Sequence, residues 1–353
     1  MPIKKVDSSP VDWAVVGAGP AGIAAVGKLL DLGISPNKIV WIDPQFKVGD
    51  LGYYWSEVSS NTTVKLFKDF LMHCRSFHYD THKKTFAFDT LPANETCKIA
   101  YIIEPLDAVT QTLQQQVQVL YNTVEKIHLV EGYWRLSLTD ETVQAKHVIL
   151  ATGATPRTLP CPPGLTLISL YDALDTAKLS KQCNASDTVA VFGSSHSAVI
   201  LLRELQALGV KGVINFYRQP LRFAVPMNGW ILFDDTGLKG TTAAWAREHL
   251  HGKLHHSLKR VIASDENVRQ MLPRCTKVIY AIGFNPRIPV IEDYPQFNYN
   301  PHNGIIAPGL FGVGIGFPES KTDPYGNTSL RVGLWKFINY LDQVMPLWLN
   351  YGI

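Results

Sequence analysis

Three glycines at fixed spacing carry the clearest chemistry in this chain: Gly17-Ala18-Gly19-Pro20-Ala21-Gly22. They follow a short apolar run, Trp13-Ala14-Val15-Val16, and lead into a helical pattern from Ile23 to Leu32 that Gly33 closes. A second strand over 38–42 ends in Asp43, 21 positions after Gly22. In a β–turn–α–β frame this spacing is a dinucleotide fingerprint. Gly17 makes the tight turn, Gly19 lets the backbone approach a pyrophosphate, and Gly22 lets helix and strand pack closely. The helix N-terminus offers N–H groups and a positive dipole end to the phosphates. Pro20 and Ala21 complete the loop, and Asp43 suits ribose hydroxyls.

A second unit starts 176 residues later. The run Thr188-Val189-Ala190-Val191-Phe192 reads as a strand, Gly193-Ser194-Ser195-His196-Ser197-Ala198 as the loop, and the residues to Leu208 as a helix. Ser195 replaces the middle glycine and Ala198 the last; both are small enough for close approach and packing. After the next strand, 213–216, stands Arg218, where an acid would select the unphosphorylated nucleotide. A guanidinium there can fork onto an adenosine 2′-phosphate instead. Arg222 lies close enough in sequence to assist it.

Both loops need strands to present them. Residues 148–157 and 278–287 match each other, each an apolar strand that ends in G-x-x-P-R (Gly153 to Arg157, Gly283 to Arg287). Glycine and proline at equivalent places mark chain crossovers. The expected fold is α/β, with two doubly wound Rossmann-like domains. The first domain is discontinuous, 1–156 and 284–353, and the second, 157–283, is inserted in it.

The chain has 353 residues, 46% of them hydrophobic and 18% charged, a mean hydropathy of +0.01 and a net charge of +3. No apolar run reaches the roughly 18 residues of a membrane span. With no basic run, nucleic-acid binding has no electrostatic footprint. Residues 1–12 lack an apolar leader core, and the five cysteines are odd in number with no CxxC spacing. These features predict a reduced, cytoplasmic protein. Four histidines between 249 and 256 lack a carboxylate frame, so no metal site is expected.

With two fingerprints and paired crossovers, the chain resembles the two-dinucleotide-binding-domain flavoproteins over nearly its whole length. There the first site holds FAD and the inserted domain NAD(P)H. The resemblance implies FAD on Gly17, Gly19, Pro20, Ala21, Gly22 and Asp43, with Gly153 at the crossover. It implies NADPH, rather than NADH, on Gly193, Ser195 and Ser197, with Arg218 at its phosphate. The disulfide reductases of that superfamily carry CxxC or CxxxxC, which this chain lacks. Their ribityl-binding Gly-Asp pair has no aspartate here, where Phe311 to Phe317 runs FGVGIGF, and their C-terminal dimerisation domain is not expected.

The segment after Asp43 is more similar to the flavin-containing monooxygenases. Gly49 to Trp55 resembles their GGxW motif, and Ser60-Asn61-Thr62-Thr63-Val64-Lys65 their T-N-x-S-K stretch. Asn61 matches the family asparagine that faces flavin and nicotinamide. Tyr53, Tyr54 and Trp55 are then expected to wall the flavin ring. The family's F-x-G-x-x-x-H signature has no counterpart ahead of the second loop, since 165–187 contains no histidine. A final helix, 328–344, is expected to start at Gly326-Asn327-Thr328 with its N-terminus on the flavin, which makes Asn327 and Thr328 candidate cofactor contacts. The implied activity is reduction of FAD by NADPH, followed by O2 activation and oxygenation of a small soft nucleophile. Two alternatives stay open: a reductase or oxidase without oxygen insertion, and a non-catalytic, FAD-stabilised interaction protein.

Overall fold

The strand Val11–Val16 is buried at five of its six residues, which places it at the centre of a sheet covered on both faces. The computed structural model describes residues 9–81, 85–292, 294 and 298–351, so most of the N-terminal stretch 1–12 lies outside the described residues. Ile39–Ile42 and Thr142–Leu150 flank the central strand in parallel, and Gln118–Leu120 and Leu310–Gly312 extend the parallel array. One face is covered by the helices Pro20–Asp31, Val64–Leu71, Ala100–Gln114 and Leu334–Trp348. The sheet continues through the antiparallel strands Tyr133–Leu138 and Val124–Val130, whose Trp134 is fully buried in the core of the opposite face.

The second sheet is wholly parallel, in the order Thr166–Leu167, Lys277–Tyr280, Thr188–Phe192, Gly212–Tyr217, Leu258–Ile262. Apolar clusters pack on both of its faces, one of them under the helices His196–Ala207 and Gly240–His249. The fold is therefore two Rossmann-like units, as the two fingerprints predict. The paired G-x-x-P-R segments meet each other between these units. Ala154–Pro156 and Phe284–Pro286 form an antiparallel pair with Phe284 opposite Pro156, so the chain leaves and returns through one two-stranded bridge.

The last helix corrects one expectation. It runs Leu334–Trp348, starting six residues after Thr328, while Thr328–Arg331 is a strand paired with Glu319–Thr322. Gly326-Asn327 closes that hairpin: the Asn327 N–H donates to Asp323 Oδ1 at 2.9 Å, and Asn327 Nδ2 donates to Asp323 Oδ2, also at 2.9 Å. The Arg331–Glu319 ion pair, 3.0 Å and nearly buried, fixes its register. Asn327 and Thr328 are exposed, and a polar turn that caps a helix in sequence instead turns a hairpin. Gly333, at φ +145°, breaks the strand and caps the helix. Among the described residues no helix is long and apolar enough to cross a membrane, and no cluster of three or more His, Cys, Asp or Glu could hold a metal.

Candidate functional site

A cavity of about 1070 Å³ lies at the C-terminal ends of the first sheet's central strands and is walled by both units. Gly17, Gly19, Pro20 and Ala21 line one part of it, with Asp43. The three fingerprint glycines differ in what demands them. Gly17 sits at φ +107°, and a Cβ there would stand 2.4 Å from the Ala151 carbonyl oxygen. A Cβ on Gly22 would stand 1.9 Å from the Gly17 oxygen. Gly19 is different: its backbone is ordinary (φ −75°, ψ 179°), and a Cβ would meet only the Gly49 Cα at 3.9 Å. No protein atom forces glycine at 19, so the space above it suits a ligand's close approach.

Asp43 is held for that task. Its carboxylate accepts from the N–H of Ala18 (2.8 Å), Gln45 (2.8 Å) and Phe46 (2.7 Å), which ties the acidic group to the phosphate loop. Above the loop, Gly314 at φ +98° comes within a methyl's reach of Ala21, and the N–H of Val313 donates to the Leu150 oxygen.

The far part of the cavity is aromatic and charged. Tyr53, Tyr54, Trp55 and Asn61 line it. Trp55 stacks on Tyr171 of the second unit with centroids 5.1 Å apart, and Tyr54 lies 4.2 Å from the same ring. Arg287, the arginine of the returning G-x-x-P-R segment, donates to Asp50 at 2.6 Å and to the Tyr171 hydroxyl at 3.3 Å. Burial opposes the charge on Arg287, yet the Asp50 carboxylate outweighs it and raises the pKa. Gly153 sits beneath, at φ +71°, and its carbonyl accepts from the Arg287 N–H.

A half-buried ion cluster closes the other side. Lys336, in the first turn of the last helix, pairs with Asp234 at 2.7 Å and Asp235 at 2.6 Å, and Asp234 also binds Lys239. Ser329 donates to Asp235, whose side chain lines the cavity. Burial pushes the Asp234 pKa up, but its two lysines win and hold it below the usual carboxylate range. A cluster of this kind gives registry between the units more than net stability.

In the second loop, Gly193 needs its φ of +130°, since a Cβ would stand 2.2 Å from the Ala281 oxygen. Ser195 is the N-cap of His196–Ala207, yet its side chain makes no capping bond. Ser197 and His196 line the cavity, whereas Gly193 and Ser195 do not. Arg218 is exposed directly after the strand Gly212–Tyr217. Arg222 turns away onto the Phe233 ring, 5.2 Å from its centroid. Beside Arg218, Arg260 stacks on Tyr217 and donates from Nε to Asn215, which in turn donates to the Gly193 oxygen.

The structure thus brings Gly17, Gly19, Pro20, Ala21, Asp43, Trp55, Asn61, Gly153 and Ser197 to one cavity and leaves Gly22, Gly193, Ser195, Arg218, Asn327 and Thr328 off it. Sequence reasoning missed Asp50, Arg287, Tyr171, His196 and Asp235. The repeated G-x-x-P-R was a usable signal for Arg287 alone. All five cysteines, Cys74, Cys97, Cys161, Cys183 and Cys275, are free and none lines the cavity. Burial pushes the Cys275 thiol up to about 11 and the Cys74 thiol further still.

Comparison with known proteins gives a consistent picture. The sequence profile of the pyridine nucleotide-disulphide oxidoreductases matches residues 11–307. A monooxygenase, AgnR1 of Paecilomyces divaricatus, is 33% identical over 382 aligned positions, covering 95% of this chain and 97% of that protein. In fold, the chain is similar to the flavin-containing monooxygenase of Stenotrophomonas maltophilia (TM-score 0.65, 15% identity, 97% and 99% of the two chains). It is also similar to the bacillithiol disulfide reductase of Staphylococcus aureus (TM-score 0.62, 13% identity, 96% and 99%).

Proposed function

The chain belongs to the pyridine nucleotide-disulphide oxidoreductase family, and on that premise we propose that it is an NADPH-preferring flavin monooxygenase acting on a small soft nucleophile. FAD- and NAD(P)H-dependent oxidoreduction is the general activity that comes with the family. The observation that carries the finer reading is the cavity wall: aromatic rings, Asn61 and a neutral polar strand, with every cysteine elsewhere. A dithiol relay has no residues here. The full-length relative named as a monooxygenase supports the same choice.

The residues fit FAD. Gly17, Gly19, Pro20, Ala21 and Gly22 would cradle its pyrophosphate, with open space above Gly19 alone, and Asp43 would take the ribose. Gly153, Trp55 and Tyr54 would flank the ring end. The first turn of Leu334–Trp348, not Asn327 and Thr328, would offer N–H groups there. Residues 1–156 and 284–353 are assigned to this FAD domain and 157–283 to the nucleotide domain, where Gly193, Ser195 and Ser197 would hold NADPH and Arg218 its 2′-phosphate. When bound, FAD supplies the redox chemistry, taking a hydride from reduced nicotinamide and passing electrons to O2. The chain's part is to orient and exclude. Trp55, Tyr54 and Tyr171 shut water from one side, and the Asn61 amide offers a donor to oxygen or to the substrate.

The test is sequential. FAD-loaded protein is mixed with NADPH without oxygen, and the loss of flavin absorbance is followed; air is then admitted with an amine or a sulfide. Bleaching followed by oxygenated product in step with NADPH consumed supports the reading. Recovery of all electrons as hydrogen peroxide overturns it in favour of an oxidase, and no bleaching by either nucleotide leaves the non-catalytic alternative.

A further inference from the structure

Arg157 and Arg287 hold equivalent places in the two G-x-x-P-R segments, yet the structure uses them differently. Arg157 is exposed, lies off the cavity and donates from Nε to Asn285 across the two-stranded bridge. Arg287 lines the cavity, with 37% of its side chain exposed. Only one nitrogen of its guanidinium is engaged: Nη2 donates to Asp50 and to the Tyr171 hydroxyl. Nε and Nη1, which carry three of the five N–H donors of the group, have no hydrogen-bond partner among the described residues. They differ from the unpartnered Nη2 of Arg260, which is buried, because both keep accessible surface on a residue of the cavity wall. The cavity thus receives a charged group with one edge fixed and the other free.

Its neighbours indicate what the free edge meets. Asp50, the partner of Nη2, follows Gly49, whose Cα is the atom nearest to a Cβ on Gly19. At the other end, Nη1 stands 3.4 Å from the place of a Cβ on Gly153, and the Arg287 N–H donates to the Gly153 oxygen. The guanidinium therefore spans the stretch between the first phosphate loop and the ring end of the cavity. Residues 311–317, which carry no polar side chain, enter the same cavity through Gly314 and Ile315 and offer that stretch no side-chain donor. Among the described residues the cavity is lined by one arginine and one lysine, Arg287 and Lys47, against the carboxyl-bearing Asp43, Asp50, Glu125 and Asp235. A doubly charged pyrophosphate over Gly19 needs a cation beside it, and the planar fork of a guanidinium matches phosphoryl oxygens. We propose that Arg287 donates from Nε and Nη1 to the pyrophosphate of FAD, with Asp50 and Tyr171 aiming the guanidinium. The proposal rests on the flavoprotein reading of the first site and adds a contact, from the returning crossover, that the fingerprint loop does not contain.

The experiment reads FAD affinity from the flavin fluorescence released as FAD-loaded protein is diluted, for wild-type, Arg287→Leu, Arg287→Lys and Asp50→Asn. ADP and riboflavin are then used to displace FAD from each. Arg287→Leu is expected to weaken FAD about tenfold to a hundredfold and to weaken ADP in step, with riboflavin within twofold of wild-type. Arg287→Lys keeps the charge without the fork and is expected to recover part of the loss. Asp50→Asn leaves the guanidinium in place and removes a negative charge beside it, so FAD is expected to bind at least as tightly as in wild-type. Unchanged FAD affinity in Arg287→Leu overturns the proposal. Equal weakening by Asp50→Asn also overturns it, because the pair then only shapes the wall. A loss carried by riboflavin and not by ADP moves the contact to the ribityl hydroxyls and overturns the phosphate assignment. Should a thermal melt show the leucine variant unfolded, Asp50→Asn decides alone: FAD held as tightly or tighter supports the contact, and weaker FAD overturns it. A wild-type protein that binds no FAD defeats the flavoprotein reading itself, a distinct and separable failure.

Discussion

The two phosphate loops have the same frame and different contents. In the first, Gly17 and Gly22 are demanded by the protein's own backbone, and Gly19 is demanded by nothing in it. In the second, Gly193 repeats the role of Gly17, with a hypothetical Cβ 2.2 Å from a carbonyl oxygen. Ala198 replaces Gly22 and is fully buried. Ser195, with φ −98° and ψ −167°, occupies the place of Gly19 and keeps its hydroxyl out of the helix cap. The turn is thus a property of the fold, kept in both loops, while the middle position is a property of the ligand. A loop that must let a pyrophosphate touch backbone needs glycine there. One that can offer a hydroxyl as well tolerates serine there.

The sharpest way to break the comparison is at the first loop. Gly19→Val should leave a folded protein, since the backbone angles suit valine and the cavity has room for its methyls. FAD should nevertheless be lost, by more than a hundredfold in affinity, because the side chain stands where the pyrophosphate must lie. Gly17→Val should instead fail to fold, since φ +107° and the Ala151 oxygen both oppose it. The ratio of flavin to protein absorbance after purification, together with a thermal melt, separates the two outcomes. A colourless Gly19→Val with the wild-type melting temperature of apoprotein is the expected result; full flavin content would show that the open space is not the pyrophosphate's.

Gly193→Val carries the comparison to the second loop. The positive φ alone costs on the order of 1–3 kcal/mol, and the contact with Ala281 adds to it. The loss should fall on the second unit, so that NADPH reduction disappears while flavin is retained. Limited proteolysis with mass mapping should find new cuts within 166–280 only. Loss of flavin to the same extent would mean that the two units do not fold independently enough for the loops to be compared.

How much of this was legible in sequence follows from how local each feature is. Both loops and their strands read directly, because short continuous apolar runs and fixed glycine spacing act within about thirty residues. The two G-x-x-P-R segments were legible as a repeat, and their antiparallel pairing follows from the chain having to leave and re-enter at one place. The clamp of Arg287 on Asp50, 237 residues away, was not legible, nor was the reach of His196 to Ser59, 137 residues away. Nothing near either residue announces its partner. The last helix was misplaced because Gly326-Asn327-Thr328 serves a hairpin turn as well as a helix cap. What decides between them is the Arg331–Glu319 pair and the Ser329–Asp235 bond, both tertiary.

At the edge of the second loop, Arg218→Ala tests whether affinity is shared beyond the loop. The arginine is exposed, directly after the strand Gly212–Tyr217 whose end would receive the adenosine ribose under the proposed function. Loss of one charge-assisted phosphate contact costs about 1.5–3 kcal/mol, so KM for NADPH should rise roughly tenfold to a hundredfold with kcat little changed. KM for NADH should stay within twofold. Arg260 is the control: it is engaged with Tyr217 and Asn215, and the bond from Asn215 to the Gly193 oxygen should make Arg260→Met weaken both nucleotides alike. Equal use of NADPH and NADH by wild-type would remove the case for Arg218.

The smallest expected effect lies where the two sites meet. Asn61 is exposed within the short strand Ser59–Thr63, which pairs with Thr96–Lys98 and is tied by its Ser59 oxygen to His196 of the second loop. Among the described residues its amide oxygen has only a long contact of 3.4 Å from the Thr62 hydroxyl, while the strand's geometry is kept by Ser60, whose Oγ accepts from the Thr62 N–H at 2.7 Å. Asn61→Ala therefore removes an amide from the cavity wall with little cost to the backbone. FAD content should be unchanged, and the rate of anaerobic bleaching by NADPH should stay within about threefold, because neither phosphate loop is touched. Under air the variant should release more hydrogen peroxide per NADPH consumed, by a factor of about two to twelve, because a donor to oxygen or substrate is worth only about 0.5–1.5 kcal/mol. Peroxide assay beside product quantification, at matched NADPH consumption, reads the difference. Asn61→Asp sharpens the test, since it keeps the shape and the acceptor but loses the N–H donor, and it should leak as the alanine variant does. If the aspartate variant couples as well as wild-type, the N–H of Asn61 is not used in turnover, and the strand serves only to seat His196.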